Sequence, residues 1–447
     1  MVGPPDGTGA ARTKVRCMIE AGLNIVVAAG LAIIVYHHLV YPLLLSYLAA
    51  DAGVRSPTTA VGTGSTRASQ ADVPPVEPMV TIIVPAYNEE AFIAAKIRNL
   101  AALDYPRWRA VVALDGCRDR TAEIALTEAS RLASKVDLEI VEYPSNVGKI
   151  AVLNEQIARV DGELVALSDT SAMLPEDALR RAVVNFRDAE LGFLAAAYRL
   201  QNPGSEGERA YMAQLRKVRR AEAALHSPLG AHGALYFFRR SLFRPIPADT
   251  INDDFVLPMQ IVEQGYRGGY DDAIEAVELE TSQSGQEFKR RVRIGAGNLQ
   301  QAIRHLRLGS LSRPRLAFMF LSGKGLRPLI PLIAILAAGA SAVLAVLGWP
   351  LHAALLVIEA ALVAIGVVAI RLRGRRLPRL MSWLGYLVEG HWASFLGLLN
   401  YARGGRIGYW QKAVAVPGSG PRFRIIWPRP QTHENPQQLL QGETAAR

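Results

Sequence analysis

The sequence predicts an α/β protein whose mostly parallel sheet lies between membrane-spanning helices near both ends of the chain. Short apolar strands alternate with helical stretches of about 10 to 15 residues between positions 80 and 186, which is typical of βαβ units. Long, nearly uncharged apolar runs precede and follow that region. Half of the 447 residues are hydrophobic although only 7% are aromatic, which favours membrane segments over a larger soluble core.

The N-terminal part contains one predicted membrane helix. Residues 1–17 are rich in Gly, Pro and Ala and are predicted to be disordered. Residues 18–50 are almost free of charge and are long enough for one span of about 20 residues. A signal peptide is the alternative, but the run is roughly twice the usual 7 to 15 apolar residues and lacks a convincing cleavage site. Residues 51–78, rich in Thr, Gly, Ser and Pro, are predicted to be a linker.

The sheet domain is predicted to cover residues 79–310. Its strands are expected at Val80–Ala86, Ala110–Leu114, Leu138–Tyr143 and Leu164–Leu167. Its helices are expected at Asn88–Leu103, Thr121–Ser134, Lys149–Arg159 and Pro175–Phe186. This alternation indicates a doubly wound sheet with helices on both faces.

The C-terminal part is predicted to return to the membrane. Residues 311–327 mix apolar and basic side chains and predict an interfacial helix, with an ordinary amphipathic core helix as the alternative. Residues 328–400 carry two or three membrane helices: two strong apolar runs, Leu329–Leu347 and Leu355–Ile370, and a weaker one, Met381–Leu399, which fits a span or the interface. Residues 401–447 are predicted to form a loosely ordered tail.

The charge distribution favours a membrane surface over nucleic acid. The chain has 50 Lys and Arg against 40 Asp and Glu, a formal charge of +10. Basic residues border the apolar runs, as in the loop 371–379, and no aromatic and basic platform for nucleic acid occurs. This loop predicts a cytosolic sheet domain of a multi-pass protein in the inner or plasma membrane, whereas Arg12, Lys14 and Arg16 argue for the opposite orientation. Two cysteines, Cys17 and Cys117, predict no disulfide framework.

Polar or glycine-bearing turns follow the predicted strands, where an open α/β sheet gathers its ligand-binding groups. By itself each turn is also compatible with a plain helix cap. Lys149 follows a glycine at a helix start, where backbone N–H groups and an ammonium can both face a phosphate. The six segments are Pro85–Glu90, Asp115–Gly116, Asn146–Lys149, Ser168–Ser171, Gly230–Ala234 and Asn252–Asp254.

In this order and spacing, the six segments resemble family 2 glycosyltransferases of the GT-A fold, and with the membrane flanks they are similar to cellulose, chitin and hyaluronan synthases. The resemblance covers residues 79–325 and implies a GT-A (Rossmann-like) fold with a mixed, mostly parallel sheet. It implies nucleotide-sugar contacts from the first, second, third and fourth segments: Ala86, Tyr87, Asn88, Glu89, Asp115, Lys149, Asp169 and Ser171. It implies that Asp254 is the catalytic base and that His232, Gly233 and Asp253 bind the acceptor.

The chemistry of sugar transfer needs such groups independently of the resemblance. A base must deprotonate the acceptor hydroxyl, and positive charge must stabilise the departing diphosphate. We expect Asp254 to be the base and Asp169 to hold a divalent ion, Mg²⁺ or Mn²⁺, which needs few carboxylates when substrate phosphates complete its shell.

Two positions depart from the family pattern. Ser171 stands where a second carboxylate of the Asp-x-Asp motif is usual, which weakens the predicted metal site. Gln286, Arg290 and Arg291 stand where polymerising members carry Gln-x-x-Arg-Trp, and the tryptophan is absent. We expect these three residues to bind the diphosphate, with contact to lipid headgroups as the alternative.

The resulting prediction is an inverting membrane glycosyltransferase that transfers a sugar from a nucleotide-diphosphate sugar to a polysaccharide or lipid-linked acceptor. One alternative is a non-processive transferase that adds one sugar to a lipid carrier. Another is a catalytically silent membrane scaffold with the same fold. The expected partners are the sugar donor, the acceptor and the membrane, and no nucleic acid. The donor sugar, its base and the linkage stay open.

Overall fold

The computed structural model of the protein describes residues 7–51, 77–133, 135–203, 205–279, 284–373, 375, 377–404 and 423–427. Most of the predicted linker, at positions 52–76, lies outside the described residues. The same holds for most of the predicted tail, at positions 405–422 and 428–447.

The N-terminal apolar segment is one long helix with an irregular turn in it. Helix α1 (Gly7–Val35) continues through a π-helical turn, Tyr36–Val40, into α2 (Tyr41–Asp51). Positions 7–17 are therefore helical, and the prediction of a disordered tail is wrong for them. The physical reason is that Ala, Arg and Lys extend an existing helix at little cost, helped by an ion pair of 2.8 Å between Arg16 and Glu20 one turn apart.

The central element is a mixed sheet. In chain order its strands are β1 (Val80–Ala86), β2 (Trp108–Asp115), β3 (Leu138–Tyr143), β4 (Leu164–Leu167), β5 (Ala172–Met173), β6 (Leu191–Leu200), β7 (Tyr236–Arg239), β8 (Arg267–Glu278) and β9 (Phe423–Trp427). Their spatial order is β5-β8-β6-β7-β4-β1-β2-β3-β9. The neighbours of β1 and β2 are all parallel, as are β6 and β8, while β7 runs antiparallel to β4 and β6.

The sheet confirms the predicted fold class and extends it at both edges. The four predicted strands form its parallel part, because their apolar side chains are buried on both faces. β9 lies within the predicted loose tail, yet it pairs antiparallel with β3. That part of the tail prediction is wrong, since Phe, Ile and Trp in sequence favour a strand once an open sheet edge is available.

Helices cover both faces of the sheet. They are α3 (Ile93–Ala101), α4 (Thr121–Leu132), α5 (Lys149–Arg159), α6 (Ala178–Asn185), α7 (Glu206–Leu225), α8 (Asp253–Glu263) and α9 (Ser284–Arg304). One apolar cluster packs under α3, α4 and α6, and a second packs under α5 and α8 and reaches Leu45 of α2. The central sheet and the N-terminal apolar helix thus share this second cluster.

The C-terminal helices return along the first one. They are α10 (Pro314–Met319), which continues through a π-helical segment, Phe320–Gly325, and then a short 3₁₀ turn into α11 (Ile330–Val346), followed by α12 (Pro350–Arg371) and α13 (Arg379–Ala402). Among the described residues, three helical stretches are long and apolar enough to cross a membrane: Lys14–Asp51, Pro314–Val346 and Pro350–Arg371.

Helix α13 is bound to the sheet domain as well as to the apolar helices. A Cβ atom at Gly397 would lie 2.5 Å from the carbonyl oxygen of Val292 in α9, so the two backbones meet more closely than any side chain allows. Glu389 of α13 is buried and pairs with Arg291 of α9 at 3.0 Å and with Arg373 at 2.5 Å. The weak third run of the sequence is therefore a helix that joins α9 to the membrane-type helices.

Candidate active site

The first predicted segment forms a tight turn after β1. Asn88 adopts the left-handed region with φ of 55°, and its side-chain oxygen accepts a hydrogen bond of 2.8 Å from the backbone N–H of Arg118. The backbone N–H of Glu89 donates to Thr121 at 2.7 Å. The observed helix α3 begins only at Ile93, so the prediction of a helix from Asn88 is wrong for residues 88–92, which form this turn. Ala86 ends β1, and Tyr87 follows it in the turn.

Asp115 ends β2 and organises the next segment. Its carboxylate accepts hydrogen bonds from the backbone N–H groups of Val147 (2.6 Å) and Gly148 (2.9 Å). Gly148 has φ of 91°, which a side chain would disfavour, and it directly precedes α5. Burial raises the pKa of Asp115 despite these two hydrogen bonds. In this structure Asp115 fixes the turn that carries Lys149; its predicted contact with a nucleotide base stays a prediction.

Lys149 joins carboxylates from two other segments. Its ammonium lies 3.0 Å from Asp169 and 3.4 Å from Asp253. Burial disfavours its charge, but the two carboxylates outweigh burial and raise the pKa of Lys149 above its usual value. Burial likewise favours neutral Asp169, yet Lys149 holds the pKa of this carboxyl below its usual range. Three predicted motifs therefore meet at one charged centre.

Gly233 and His232 close this centre on one side. The backbone N–H of Asp169 donates to the carbonyl of Gly233 at 3.1 Å, and a Cβ atom at Gly233 would lie 2.7 Å from Asp169 Oδ2. His232 stacks on Tyr198 with ring centroids 3.6 Å apart. Its Nδ1 lies 3.2 Å from the N–H of Ala234, which makes Nδ1 an acceptor and assigns the proton to Nε2. Burial and Arg290 lower the pKa of His232 to about 3, so the ring is neutral.

Asp254 differs from its neighbour Asp253 in its surroundings. Both belong to the first turn of α8. Within the part of the chain that the structure describes, no group donates a hydrogen bond to the carboxylate of Asp254, whereas Asp253 contacts Lys149. Burial and the charge of Asp253 raise the pKa of Asp254 to about 6. A carboxylate with such a pKa can accept a proton at neutral pH better than an ordinary aspartate.

The basic side chains of α9 point in two different directions. Arg290 and Arg293 lie one helical turn apart, line the same cavity as Asp169, and act on its charge or on those of Asp253 and Asp254. Arg291 points elsewhere: its guanidinium pairs with Glu287, Glu389 and Glu208 at 2.9, 3.0 and 3.4 Å. The structure therefore brings Arg290 to the predicted centre but not Arg291. The side chain of Gln286 lies outside the described residues.

Sequence reasoning missed three residues at this centre. Arg293 could have been found from its i, i+3 spacing to Arg290, since adjacent residues of a helix face different ways. Lys96 is buried on the apolar face of α3 and donates to Ser168 Oγ (2.7 Å) and to the carbonyl of Ala172 (2.6 Å). Burial lowers the pKa of Lys96 to about 7. No local pattern marks Tyr198, which reaches His232 from β6.

A cavity of about 1100 Å³ connects this centre with the apolar helices. One end is lined by Lys149, Asp169, Ser171 and His232. The other end is lined by residues of the first helix, α7 and α13, among them Leu43, Tyr211 and Tyr386. Buried cations and carboxylates occupy the walls between the two ends. The charged centre is thus accessible from the side of the membrane-type helices.

The residues present fit a divalent cation that takes most of its ligands from a substrate. Among the described residues, no three His, Cys, Asp or Glu side chains are grouped so that they could hold a metal ion. Asp169 offers one ionised carboxylate to the cavity, and Ser171 offers a weaker oxygen. His232 carries its ring proton on Nε2, and its Nδ1 accepts a hydrogen bond from Ala234, so neither ring nitrogen is available to a metal ion. Such a set suits a hard ion bound mainly through phosphate oxygens.

Comparison with known proteins identifies the family. The family model described as glycosyl transferase family 2 matches residues 81–246, which include the first five of the six segments. This part of the chain is thus similar to family 2 glycosyltransferases. The matched range ends before Asp253 and Asp254, so these two are not covered by it.

Curated relatives of the glycosyltransferase domain agree with this family. The beta-monoglucosyldiacylglycerol synthase of Synechocystis sp. is 33% identical over 142 residues, which are 30% of this chain and 29% of the relative. The N-acetylglucosaminyltransferase of Azorhizobium caulinodans is 24% identical over 223 residues, 45% of this chain and 55% of the relative. The chain thus spans between about a third and about half of the length of these relatives.

A solved structure confirms the GT-A fold of the glycosyltransferase. The mannosyltransferase PcManGT from Pyrobaculum calidifontis, solved in complex with GDP-Man and Mn²⁺, superimposes with a TM-score of 0.64 at 24% identity. The match covers 84% of this chain and 99% of that chain. The likeness therefore includes helices outside the sheet domain. At this identity the likeness concerns the fold, and it extends beyond the residues that match the family model.

Proposed function

We propose that this glycosyltransferase moves a sugar from a nucleotide-diphosphate sugar to an acceptor that reaches the site from the membrane. The observation that carries the proposal is the single cavity that joins the Lys149–Asp169 centre to the apolar helices. A nucleotide-sugar donor is supported by PcManGT, whose structure contains GDP-Man, and a lipid-type acceptor by the glucosyldiacylglycerol synthases among the relatives.

The proposed reaction is a single displacement with inversion at the anomeric carbon. The Asp254 carboxylate takes the proton of an acceptor hydroxyl, whose oxygen forms the new glycosidic bond as the bond to the diphosphate breaks. Asp254 suits this role because its carboxylate is free of hydrogen bonds from described residues and its pKa lies near 6. Asp253 is held by Lys149 at 3.4 Å and orients the turn.

The departing diphosphate gains negative charge, which cations of this chain stabilise. Arg290 and Arg293 face the cavity from α9, and Lys149 lies between the donor side and the acceptor side. Guanidinium groups suit phosphate oxygens because they can donate two parallel hydrogen bonds. A divalent cation, Mg²⁺ or Mn²⁺, held by Asp169, would supply further positive charge when bound.

The proposed function includes an orientation of the sheet domain and the apolar helices relative to a membrane. The sheet domain lies on the cytosolic face, where nucleotide sugars are made, and the basic loop after α12 lies on the same side. The segment 311–327 lies at the interface, partly buried under the sheet domain. The helix Lys14–Asp51, the part of Pro314–Val346 that follows position 327, and the helix Pro350–Arg371 cross an inner or plasma membrane.

A donor screen tests the proposal. Purified full-length protein in neutral detergent is incubated with GDP-mannose, UDP-glucose or UDP-N-acetylglucosamine, Mn²⁺ and membrane lipid extract, and the release of nucleoside diphosphate is measured. We expect one donor to be consumed in the presence of lipid extract, and Asp254→Asn to abolish this consumption. Consumption that needs no Asp254 carboxylate would refute the assignment of the base.

Product size decides between the two acceptor alternatives. A labelled donor that yields one sugar on a lipid indicates the non-processive reaction, and a ladder of larger products indicates polymerisation. The absence of a tryptophan after Gln286 favours the single addition, because that side chain belongs to the acceptor end of the site in the polymerising members that the sequence resembles.

A further inference from the structure

The membrane-side part of the cavity contains a lysine without a hydrogen-bonding partner. Lys324 lies in the π-helical segment between α10 and α11, and its side chain lines the cavity. Its ammonium lies 5.2 Å from the ring centroid of Phe255, the residue after Asp254. Within the described chain, no acceptor atom lies at hydrogen-bonding distance from it. An ammonium has three N–H donors, which are available to an acceptor that enters the cavity.

Two arginines and a carboxylate line the cavity together with Lys324: Arg219, Arg327 and Glu222. Arg219 donates to the carbonyl of Gly230 at 2.7 Å and lies 3.7 Å from Glu222. Glu222 also accepts a hydrogen bond of 2.9 Å from the N–H of Leu229. Three basic side chains thus line this cavity beside a carboxylate that already has partners.

Two further carboxylates that line the cavity are engaged elsewhere, since Glu208 and Glu287 pair with Arg291. Lysine and arginine are the side chains that recognise phosphate groups in proteins. The cavity at Lys324 thus offers groups that suit an anion.

The apolar residues of the cavity indicate which kind of molecule bears this anion. Two π-helical turns meet here: Tyr36 of the first membrane helix contacts Ser322 at 2.7 Å between side-chain oxygens, and Gly323 lies against the ring of Tyr41. Such turns are frequent at functional sites. Leu39 and Leu43 of the first helix and Trp383 of α13 line the same cavity and are more than a third exposed. A ligand with an anionic head and an apolar chain matches both walls.

We propose that Lys324, flanked by Arg219 and Arg327, binds the phosphate group of a phosphorylated lipid whose apolar chain lies against the first membrane helix and α13. The lipid enters sideways from the bilayer, and its headgroup stops beside Phe255 and thus beside Asp254. This inference deepens the proposed function by naming the acceptor class, and it rests on that function only for the role of the lipid as acceptor.

Binding without any sugar donor tests the inference. Purified full-length protein in neutral detergent is titrated with a fluorescent long-chain alkyl phosphate, the alcohol of the same chain, and inorganic phosphate. We expect the alkyl phosphate to bind at least tenfold more tightly than both other ligands. Equal affinity for the alcohol would refute the anion site, and equal affinity for inorganic phosphate would refute the lipid source.

Matched variants locate the phosphate. Lys324→Met is expected to weaken binding of the alkyl phosphate about ten- to a hundredfold, the effect of losing a charge-assisted hydrogen bond, and to leave the alcohol unchanged. Lys324→Arg should retain most of the affinity. Lys217→Met removes the same charge from an exposed position of the cavity wall and should change binding less than threefold. Wild-type affinity in Lys324→Met would refute the proposed site.

The outcomes separate this inference from the proposed function. Sugar transfer to a neutral lipid by a protein that does not bind alkyl phosphate would overturn the inference and leave the proposed function standing. Tight binding of alkyl phosphate by a protein that consumes no nucleotide sugar would support the lipid site and contradict the proposed function.

Discussion

Gly233→Ala is expected to disable sugar transfer while leaving the fold intact. The new Cβ atom would lie 2.7 Å from Asp169 Oδ2, whereas ordinary contacts begin at 3.4 Å. The carboxylate must therefore move by about 0.7 Å, which disturbs its contact of 3.0 Å with Lys149 and its position beside the diphosphate. Because a displacement of about 1 Å can cost a factor of about 100, we expect kcat/KM to fall roughly ten- to a hundredfold, or about 1.4 to 2.7 kcal/mol.

The assay is the initial rate of nucleoside diphosphate release as a function of donor concentration, beside thermal unfolding of the same samples. Gly22→Ala is the matched control, since nothing lies within 4 Å of a Cβ atom at that position. It should retain wild-type kcat/KM and Tm. A Gly233→Ala protein with wild-type Tm and wild-type kcat/KM would show that the position of the Asp169 carboxylate does not matter for transfer.

Three further predictions concern the base, the metal and the joint between the domains. The kcat/KM of transfer should rise with pH up to about 6, because Asp254 accepts a proton only when it is ionised. Asp254→Asn should abolish this rise with pH and lower kcat roughly 10²- to 10⁴-fold. A rise with pH that persists in the variant would belong to another group. Chelation should stop transfer and Mn²⁺ restore it, and Ser171→Asp, which adds a carboxylate near Asp169, should reduce the Mn²⁺ concentration for half-maximal rate; an unchanged concentration would contradict the metal assignment. Glu389→Gln should lower the free energy of unfolding by about 1 to 3 kcal/mol, since Arg291 loses one of its three carboxylates, and a wild-type Tm would contradict this.

The parallel part of the sheet was predictable because its signals are local. β1, β3 and β4 and helix α5 begin and end where the alternation of apolar strands and helices indicates. The antiparallel strand inside the sheet was not, because β7 joins β4 and β6 through pairings that no short segment encodes. β9 is the extreme case: residues 423–427 need the open edge of β3, far away in the chain, to become a strand.

The candidate site was predictable as a set of segments but not as a set of contacts. The sequence placed Lys149, Asp169 and Asp253 at the ends of elements, and the fold then brings both carboxylates within 3.4 Å of the Lys149 ammonium. It did not indicate which residues of the basic cluster on α9 act on the carboxylates of the centre. Helix phase decides that: Arg290 and Arg293 share a face, whereas Arg291 turns to Glu389 of α13, a helix that the sequence marked only weakly.

One lysine links the donor-side carboxylate to the pair at the start of α8. Lys149 lies 3.0 Å from Asp169, whose pKa it holds below its usual range, and 3.4 Å from Asp253, the neighbour of Asp254. Burial, together with the charge of Asp253, raises the pKa of Asp254 to about 6. Removing the ammonium with Lys149→Met would therefore alter both ends of the proposed reaction: Asp169 would lose its fixed position on the donor side, and the charges of Asp253 and Asp254 would no longer be offset on the acceptor side. The residue that the sequence suggested only as a phosphate contact thus couples the donor side of the site to its base.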